Sequence, residues 1–376
     1  MHLFPSISAK ILSALESTPY ACTELIPLSG GYVNFVYRGI LVSALPTTPP
    51  TAQVIVKHAE PYVAANSDWK SSVTRSYYEA LMLRAMKDLP ATKFINVTTT
   101  SPILYEYHTE SHTAIFSDLP ESSQLQVYLS THELDEADVF KIGVSLGRWM
   151  RNFHEWSATL DQSSLREEIR GNHVMAEMKY SITYGRLKES IAMYPAIFEG
   201  SIEVFRRLQQ RLKTEVVASE DQLIHGDFGC RNVLLSNGPL SAEFCPLDLR
   251  VIDWELSQLG SIAVDLGQMF AELYALSHFH SVTAASAMIS SFMAGYGSLR
   301  DELAFRVALE FGMHLSLWPC REPANNGDQL VKRCVCLGKD MIVHAEEKDK
   351  LWFRSGILDS IFDFEEPRRF QTPDDL

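Results

Sequence analysis

Residues Ile224 to Leu235 read IHGDFGCRNVLL, and a short way on Leu249 to Leu256 read LRVIDWEL. Asp227 and Asn232 stand five residues apart, and Asp253 ends an apolar, strand-like run 26 positions after Asp227. A carboxylate, an amide and a second carboxylate in that order suit one kind of chemistry. Transfer of a phosphoryl group asks little covalent work of a protein: a hydroxyl must be placed in line and the phosphate charge neutralised. Asp and Asn also recur in turns because their side chains bond their own backbone, so a purely structural alternative stands beside this reading. The sequence upstream bears on the choice.

Leu28 to Arg38, LSGGYVNFVYR, is a Gly-Gly turn followed by Val33, Phe35 and Tyr37 alternating on one face. The pattern predicts a hairpin strand leaving a tight turn. Such a loop, with Gly30, Gly31 and Asn34, would cover nucleotide phosphates; a hairpin without function is the alternative. Gln53 to Ala59, QVIVKHA, carries Lys57 inside a β-branched run, which is costly unless the ammonium finds a partner. Glu79, 22 residues on in a helix predicted over 68–86, is the expected partner. Against it stand a Lys57 that snorkels to solvent and Arg75, four residues before Glu79, as a rival for the carboxylate. Pro102–Tyr107 and Thr113–Phe116 read as two further strands. Ser117 and Leu119 then fall where a hinge would offer backbone groups to a nucleobase.

With these pieces in order, the chain resembles the kinase-like small-molecule phosphotransferases, the superfamily of aminoglycoside phosphotransferases and choline kinases. HGD-x-x-x-x-N with IDWE carries the likeness. LSGGYVNFVYR, VIVKHAEPYV, RSYYEALML and VIDWELSQLGSIAVDLG look most like the branch of methylthioribose kinases and fungal 4-hydroxytryptamine kinases. Protein kinases show instead His-Arg-Asp, a Lys two residues after the Asp, and Asp-Phe-Gly. Here position 229 is Gly, and Trp254 and Glu255 follow Asp253. The likeness covers roughly residues 25 to 320. It implies an α+β, two-lobed protein-kinase-like fold: an N-terminal antiparallel sheet with one helix, then a larger, mostly helical lobe. It also implies ATP and Mg²⁺ as cofactors, Asp227 as the catalytic aspartate, Asn232 and Asp253 as metal ligands, and Glu255 as their assistant. Lys57 with Glu79 would position the phosphates. His225, Arg231 and Asp265 would support the catalytic loop, Asp265 as an anchor at a helix start.

Composition narrows the class. At 376 residues the chain is long enough for two lobes, and 46% hydrophobic with 21% charged residues fit an ordinary globular protein. No run of 18 apolar residues appears, and the N-terminus lacks a basic region before an apolar core, so we expect neither a membrane span nor a signal peptide and place the protein in the cytoplasm. Cys334-x-Cys336 has no second pair to complete a zinc site. A net charge of −14 with no basic stretch argues against nucleic-acid binding, and an acidic surface slightly favours a cationic substrate. No obligate protein partner is inferred.

From about Glu133 the periodicity turns helical, with Val139, Ile142, Leu146, Trp149, Met150 and Phe153 forming a buried stripe that ends at His154. Further helices are predicted over 202–217, 264–276, 282–296 and 302–317, with one or two more in 324–362. The division is a nucleotide lobe 1–119, a helical lobe 120–365 with catalytic loop and acceptor site, and a loose tail 366–376. His314 and Trp318, four apart on one helix, are candidates to line the acceptor pocket, or are core packing; Tyr184 and Trp352 are weaker candidates. The expected activity is transfer of the γ-phosphate of ATP to a small-molecule hydroxyl, a specialised-metabolite alcohol or amino-alcohol. The rivals are a methylthioribose-type sugar kinase, a protein kinase and a catalytically silent nucleotide-binding scaffold. A protein kinase would need an Ala-Pro-Glu anchor after Asp253, and none is visible.

Overall fold

The alternation read at Phe35 and Tyr37 builds the middle of the first sheet. In the computed structural model, which describes residues 4–29, 31–218, 222–237, 246–318 and 328–364, the strand Phe35–Leu45 buries Phe35, Tyr37 and Leu41. It pairs antiparallel with Cys22–Pro27 on one side and with Thr51–His58 on the other. Thr113–Ser117 and Leu104–His108 complete five strands. The register sets Lys57 between Val36 and Ala114, inside the sheet. A helix at the start of the chain, Phe4–Leu15, lays Ile7, Ile11 and Leu15 on this sheet against Leu25, Phe35 and Tyr37. Each of these side chains contributes about 1.5–3 kcal/mol by leaving water.

The helix expected from Asp68 begins only at Thr74 and runs to Ala85. Residues Asn66–Lys70 form a strand that turns back on Tyr62–Val63, and the Lys70 ammonium lies 5.8 Å from the centre of the Tyr62 ring. Pairing across this hairpin overrides the local helical preference. The shortened helix still presents Glu79, Ala80, Met82 and Leu83 inward.

A second sheet carries the catalytic segment. Its order is Ser122–Gln124, Val233–Ser236, Leu247–Val251, Val97–Thr100 and Thr92–Phe94. Leu247–Val251 runs parallel to Val97–Thr100, with Leu249 opposite Thr99. Residues 92–100 precede the hinge in sequence yet pair with strands that follow it. One apolar core joins this sheet to the helices.

The helical stripe falls on Glu136–Ala158, whose first turn is capped by Asp135 accepting from the Asp138 N–H at 2.8 Å. Ile142, Leu146, Trp149, Met150, Phe153 and His154 are buried, as the 3.6 period requires. This helix packs on Thr283–Tyr296 so closely that a Cβ on Gly147 would stand 2.1 Å from the Phe292 carbonyl oxygen. Ile202–Ala218, Ala263–His280, Asp301–Leu317 and Asp328–Glu346 are the other long helices. Within the last, Cys334 is buried and Cys336 exposed. No helix among the described residues is long and apolar enough to cross a membrane. The tail 366–376 lies outside the described residues.

Candidate active site

Glycine makes the catalytic turn possible. Gly226 adopts φ +79°, and a Cβ there would lie 2.2 Å from the Leu256 carbonyl oxygen, so a side chain has neither the conformation nor the room. Asp265 holds the turn from below, accepting the His225 and Gly226 N–H groups at 2.9 Å each. The His225 ring accepts the Asp227 N–H at Nδ1 (3.2 Å) and reaches the Ile252 carbonyl from Nε2 (2.9 Å). That pair of contacts selects the tautomer protonated on Nε2. The histidine thereby ties the catalytic loop to the strand end that precedes Asp253.

Asp227 sits in a shell of donors. Its Oδ1 accepts from Gln268 Nε2 at 2.8 Å and from Lys179 Nζ at 3.3 Å. Its Oδ2 accepts from Asn232 Nδ2 at 3.0 Å, and the same amide also reaches the Asp227 carbonyl at 2.8 Å. Lys179 is held in turn by Gln268 Oε1 at 2.7 Å. Burial pushes the Asp227 carboxyl up, but Lys179, the Gln268 hydrogen bond and His225 outweigh it and leave it below the usual aspartate value. Glu272 behaves oppositely: burial and the neighbouring Asp227 raise it, while it accepts from Gln268 Nε2 at 3.0 Å and the Cys230 N–H at 2.7 Å. Arg231, on the same loop, is exposed.

Lys57 anchors a second cluster. Its ammonium lies 2.7 Å from Glu79 Oε2, in contact with Asp253 Oδ1, and 3.6 Å from Glu255 Oε2. It does not snorkel to solvent, being 8% exposed. Arg75, the rival for Glu79, is fully buried and turns elsewhere: it donates to Asn34 Oδ1 at 2.8 Å and to the Ser72 and Glu60 carbonyls. Asn34 passes the connection on by donating to Glu255 Oε2. The glycine-turn strand, the Glu79 helix and the Asp253 segment therefore meet in one network. Burial alone would depress the Lys57 ammonium, yet Asp253, Glu79 and Glu255 hold it well above the usual lysine value. Burial lifts Glu79; Lys57 pulls it back, but Asp253 and Glu255 add to the lift and leave it at about 7. Glu255 is raised by burial as well.

Carboxylate oxygens of Glu79, Asp253 and Glu255 lie within 4.8 Å of one another. Hard oxygen donors so grouped fit Mg²⁺, which takes one or two carboxylates and completes its octahedron with phosphates and water. Asp253 is held in the left-handed conformation at φ 69°, which costs a non-glycine residue roughly 1 kcal/mol or more. Its side chain remains 35% exposed, and that of Asp227 34%. Both stay reachable while the residues that hold them are buried.

Among the other nucleotide-side residues, Gly31 leaves no space for a Cβ, which would stand 2.9 Å from the Asn34 carbonyl oxygen. Gly30 lies outside the described residues. At the hinge, the Ser117 carbonyl accepts from Arg250 Nη1 at 3.1 Å and the Leu119 carbonyl from Ser122 Oγ at 2.7 Å.

Near Asp227 a small cleft of about 20 Å³ is lined by Lys179, Thr183, Tyr184, Gln268, Glu310 and His314 among others. Lys179 and Gln268 belong to both the cleft lining and the Asp227 shell. Glu310 is buried, takes the Tyr184 hydroxyl on Oε2 and Arg306 Nε on Oε1 at 2.9 Å. His314 is part of the lining; Trp318 tilts against the His314 ring with centroids 5.7 Å apart and is not. Trp352 stacks on His344.

The sequence reading passed over Lys179, Gln268, Glu272 and Asn172, whose amide donates to the Glu255 and Ser257 carbonyls at 3.2 and 2.9 Å. Gln268 and Glu272 had a local signal, being three and seven residues beyond Asp265 on one helix. Lys179, 48 residues ahead of Asp227, had none.

A family model described as "Phosphotransferase enzyme family" matches residues 52–305. The chain is 26% identical to Phosphotransferase FrzJ of Cladobotryum sp over 372 residues, 95% of this chain and 96% of that protein. It is 23% identical to the 4-hydroxytryptamine kinase of Psilocybe cyanescens over 298 residues, 77% and 79% of the two chains. Among solved structures, a choline/ethanolamine kinase family protein from Mesorhizobium loti superposes with TM-score 0.46 at 14% identity, covering 94% of this chain and 98% of that one. The GDP complex of an aminoglycoside 2'-phosphotransferase gives TM-score 0.49 at 12% identity, covering 92% and 98%.

Proposed function

We propose that this chain, which belongs to the phosphotransferase enzyme family, is an ATP- and Mg²⁺-dependent kinase whose acceptor is a hydroxylated small molecule, a specialised-metabolite alcohol or amino-alcohol. Membership of the family makes the protein a phosphotransferase; the nucleotide, the metal and the acceptor are our reading of the site. The observation that carries it is the pair of clusters joined through His225 and Ile252: a lysine among three carboxylates on one side, and Asp227 within a shell of a lysine and two amides on the other.

Asp227 accepts a hydrogen bond from the acceptor hydroxyl and takes up its proton as the hydroxyl oxygen bonds the γ-phosphorus and the bond from that phosphorus to the β,γ-bridging oxygen breaks, releasing ADP. Its lowered pKa keeps it ionised for that task at neutral pH. Lys57, steadied by Glu79, holds phosphate oxygens; Gly31 and Asn34 bring the loop over them, and the hinge at Ser117 and Leu119 faces the base. Asp253, Glu255 and the side-chain oxygen of Asn232 hold Mg²⁺. When bound, the metal supplies the positive charge that neutralises the phosphates. The net charge of −14 supports an acceptor bearing an ammonium group. A relative named 4-hydroxytryptamine kinase points the same way.

The test is ADP release from Mg²⁺-ATP, and in parallel GDP release from Mg²⁺-GTP, with 4-hydroxytryptamine, choline, methylthioribose and aminoglycosides as acceptors and Asp227→Asn as control. Acceptor-dependent turnover that disappears in the variant supports the reading and names the acceptor. Equal turnover by the variant would sink the role given to Asp227. ATP binding with no acceptor phosphorylated anywhere in the panel would favour a silent nucleotide-binding protein.

A further inference from the structure

An ionised carboxylate offers about four lone-pair sites, and three of those on Asp227 are already taken. Gln268 and Lys179 fill both sites of Oδ1, at 2.8 and 3.3 Å. Asn232 fills one site of Oδ2, at 3.0 Å. We infer that Lys179 and Gln268 act as a clamp that closes Oδ1 and leaves one lone pair of Oδ2 as the place where the acceptor hydroxyl must bind. The inference rests on Asp227 being the group that receives that hydroxyl.

The clamp is built, not incidental. Lys179 comes from the helix His173–Ile182 and Gln268 from the helix Ala263–His280, elements that no local sequence relation brings together. Lys179 is 8% exposed, and an ammonium so withdrawn from water persists only with partners. Gln268 supplies one with Oε1 at 2.7 Å and gives its amide N–H to Asp227, so the two side chains also fix each other. Both line the cleft. Lys179 is thus a positioning residue: it selects which oxygen works and stops the carboxylate from rotating. Misplacement of a reacting group by about 1 Å can cost on the order of 10²-fold in rate.

The experiment needs no identified acceptor, because water can take the hydroxyl's place in slow hydrolysis of Mg²⁺-ATP. Hydrolysis, affinity for a fluorescent ATP analogue and thermal melting are measured for wild type, Lys179→Met, Lys179→Arg, Gln268→Leu and Asp227→Asn. We expect Lys179→Met to lose roughly 10- to 100-fold in hydrolysis with nucleotide affinity nearly unchanged, and Lys179→Arg to recover most of the loss. Gln268→Leu removes one donor to the same oxygen together with the acceptor that steadies Lys179, and should lose activity in the same direction. It carries the test if Lys179→Met does not fold. Wild-type hydrolysis by Lys179→Met, or by a folded Gln268→Leu, overturns the clamp. So does a Lys179→Met defect that arginine leaves uncorrected and that nucleotide affinity matches. Asp227→Asn separates the two levels: if it is inactive while Lys179→Met is unimpaired, the clamp alone falls. If Asp227→Asn hydrolyses ATP normally, the reading of Asp227 falls with it.

Discussion

Two ion clusters, each with buried cations and one carboxylate left reachable, meet at residues 224–256 and differ in charge balance. Around Lys57, one ammonium faces Glu79, Asp253 and Glu255, with only Arg75, 4.0 Å from Glu255, to offset the surplus. Around Asp227, one carboxylate faces a lysine and two amides. The first cluster is short of positive charge, and burial, with Asp253 and Glu255 adding to it, lifts Glu79 to about 7. The second is satisfied, and its carboxylate lies below the usual range. The difference teaches which half of the site the protein completes alone. On the proposed reading, Asp227 is preorganised by its own fold, so its geometry would cost nothing at the moment of reaction. On the same reading, the Lys57 cluster would take its missing positive charge from a bound cation.

The comparison breaks most visibly at Asp227. Asp227→Asn should lower kcat by about 10²- to 10⁴-fold while nucleotide affinity stays nearly intact, as steady-state ADP release and fluorescent-nucleotide titration would show. A matching loss of nucleotide affinity would mean that the two clusters are one. Asp253→Asn should raise the Mg²⁺ concentration needed for half-maximal nucleotide binding by about tenfold or more, equivalent to ~1.4 kcal/mol. Unchanged Mg²⁺ dependence would remove Asp253 from the metal set.

Lys57→Ala sharpens the contrast through stability. It leaves three carboxylates without their shared cation, a loss on the order of 3 kcal/mol or more, and raises the KM for ATP. Mg²⁺ should restore part of the lost melting temperature, whereas in wild type it should add less. An equal Mg²⁺ effect on both proteins would contradict the view that this cluster is short of positive charge. Away from both clusters, Gly147→Ala should cost about 1–3 kcal/mol by overpacking, because its Cβ would meet the Phe292 carbonyl oxygen at 2.1 Å. The KM of the folded fraction should not move. Glu272→Gln is expected to do least: it can still accept the Cys230 N–H, and we expect less than about 1 kcal/mol in stability, read by denaturant unfolding.

Much of the fold could be read from local pattern. The stripe from Val139 to Phe153 matched the helix Glu136–Ala158 because packing against a core demands that period. The alternation at Phe35 and Tyr37 matched a strand with one buried face. Where the pattern failed, a partner distant in sequence had intervened. Asp68–Lys70 were read as the start of a helix and instead end the strand Asn66–Lys70, because Tyr62–Val63 pairs with it. The helix Phe4–Leu15 escaped notice because its apolar residues matter only once a sheet lies beneath them.

The chemistry divides along the same line. Asp227 with Asn232, and Asp253 with Glu255, were legible as a group because a tight turn and a strand end impose their residue types within a few positions; the need for glycine at 226 was not. Lys57 was legible as a cation in need of a partner, since an apolar strand cannot hide an unpaired charge. Which partners would answer was another matter. Asn34 reaches Glu255 across 221 residues, Lys57 reaches Asp253 across 196, and Lys179 reaches Asp227 across 48. Local pattern states that a buried charge must be satisfied. Only the packing of remote helices and strands, which sets side-chain distances to within an ångström, chooses the group that satisfies it.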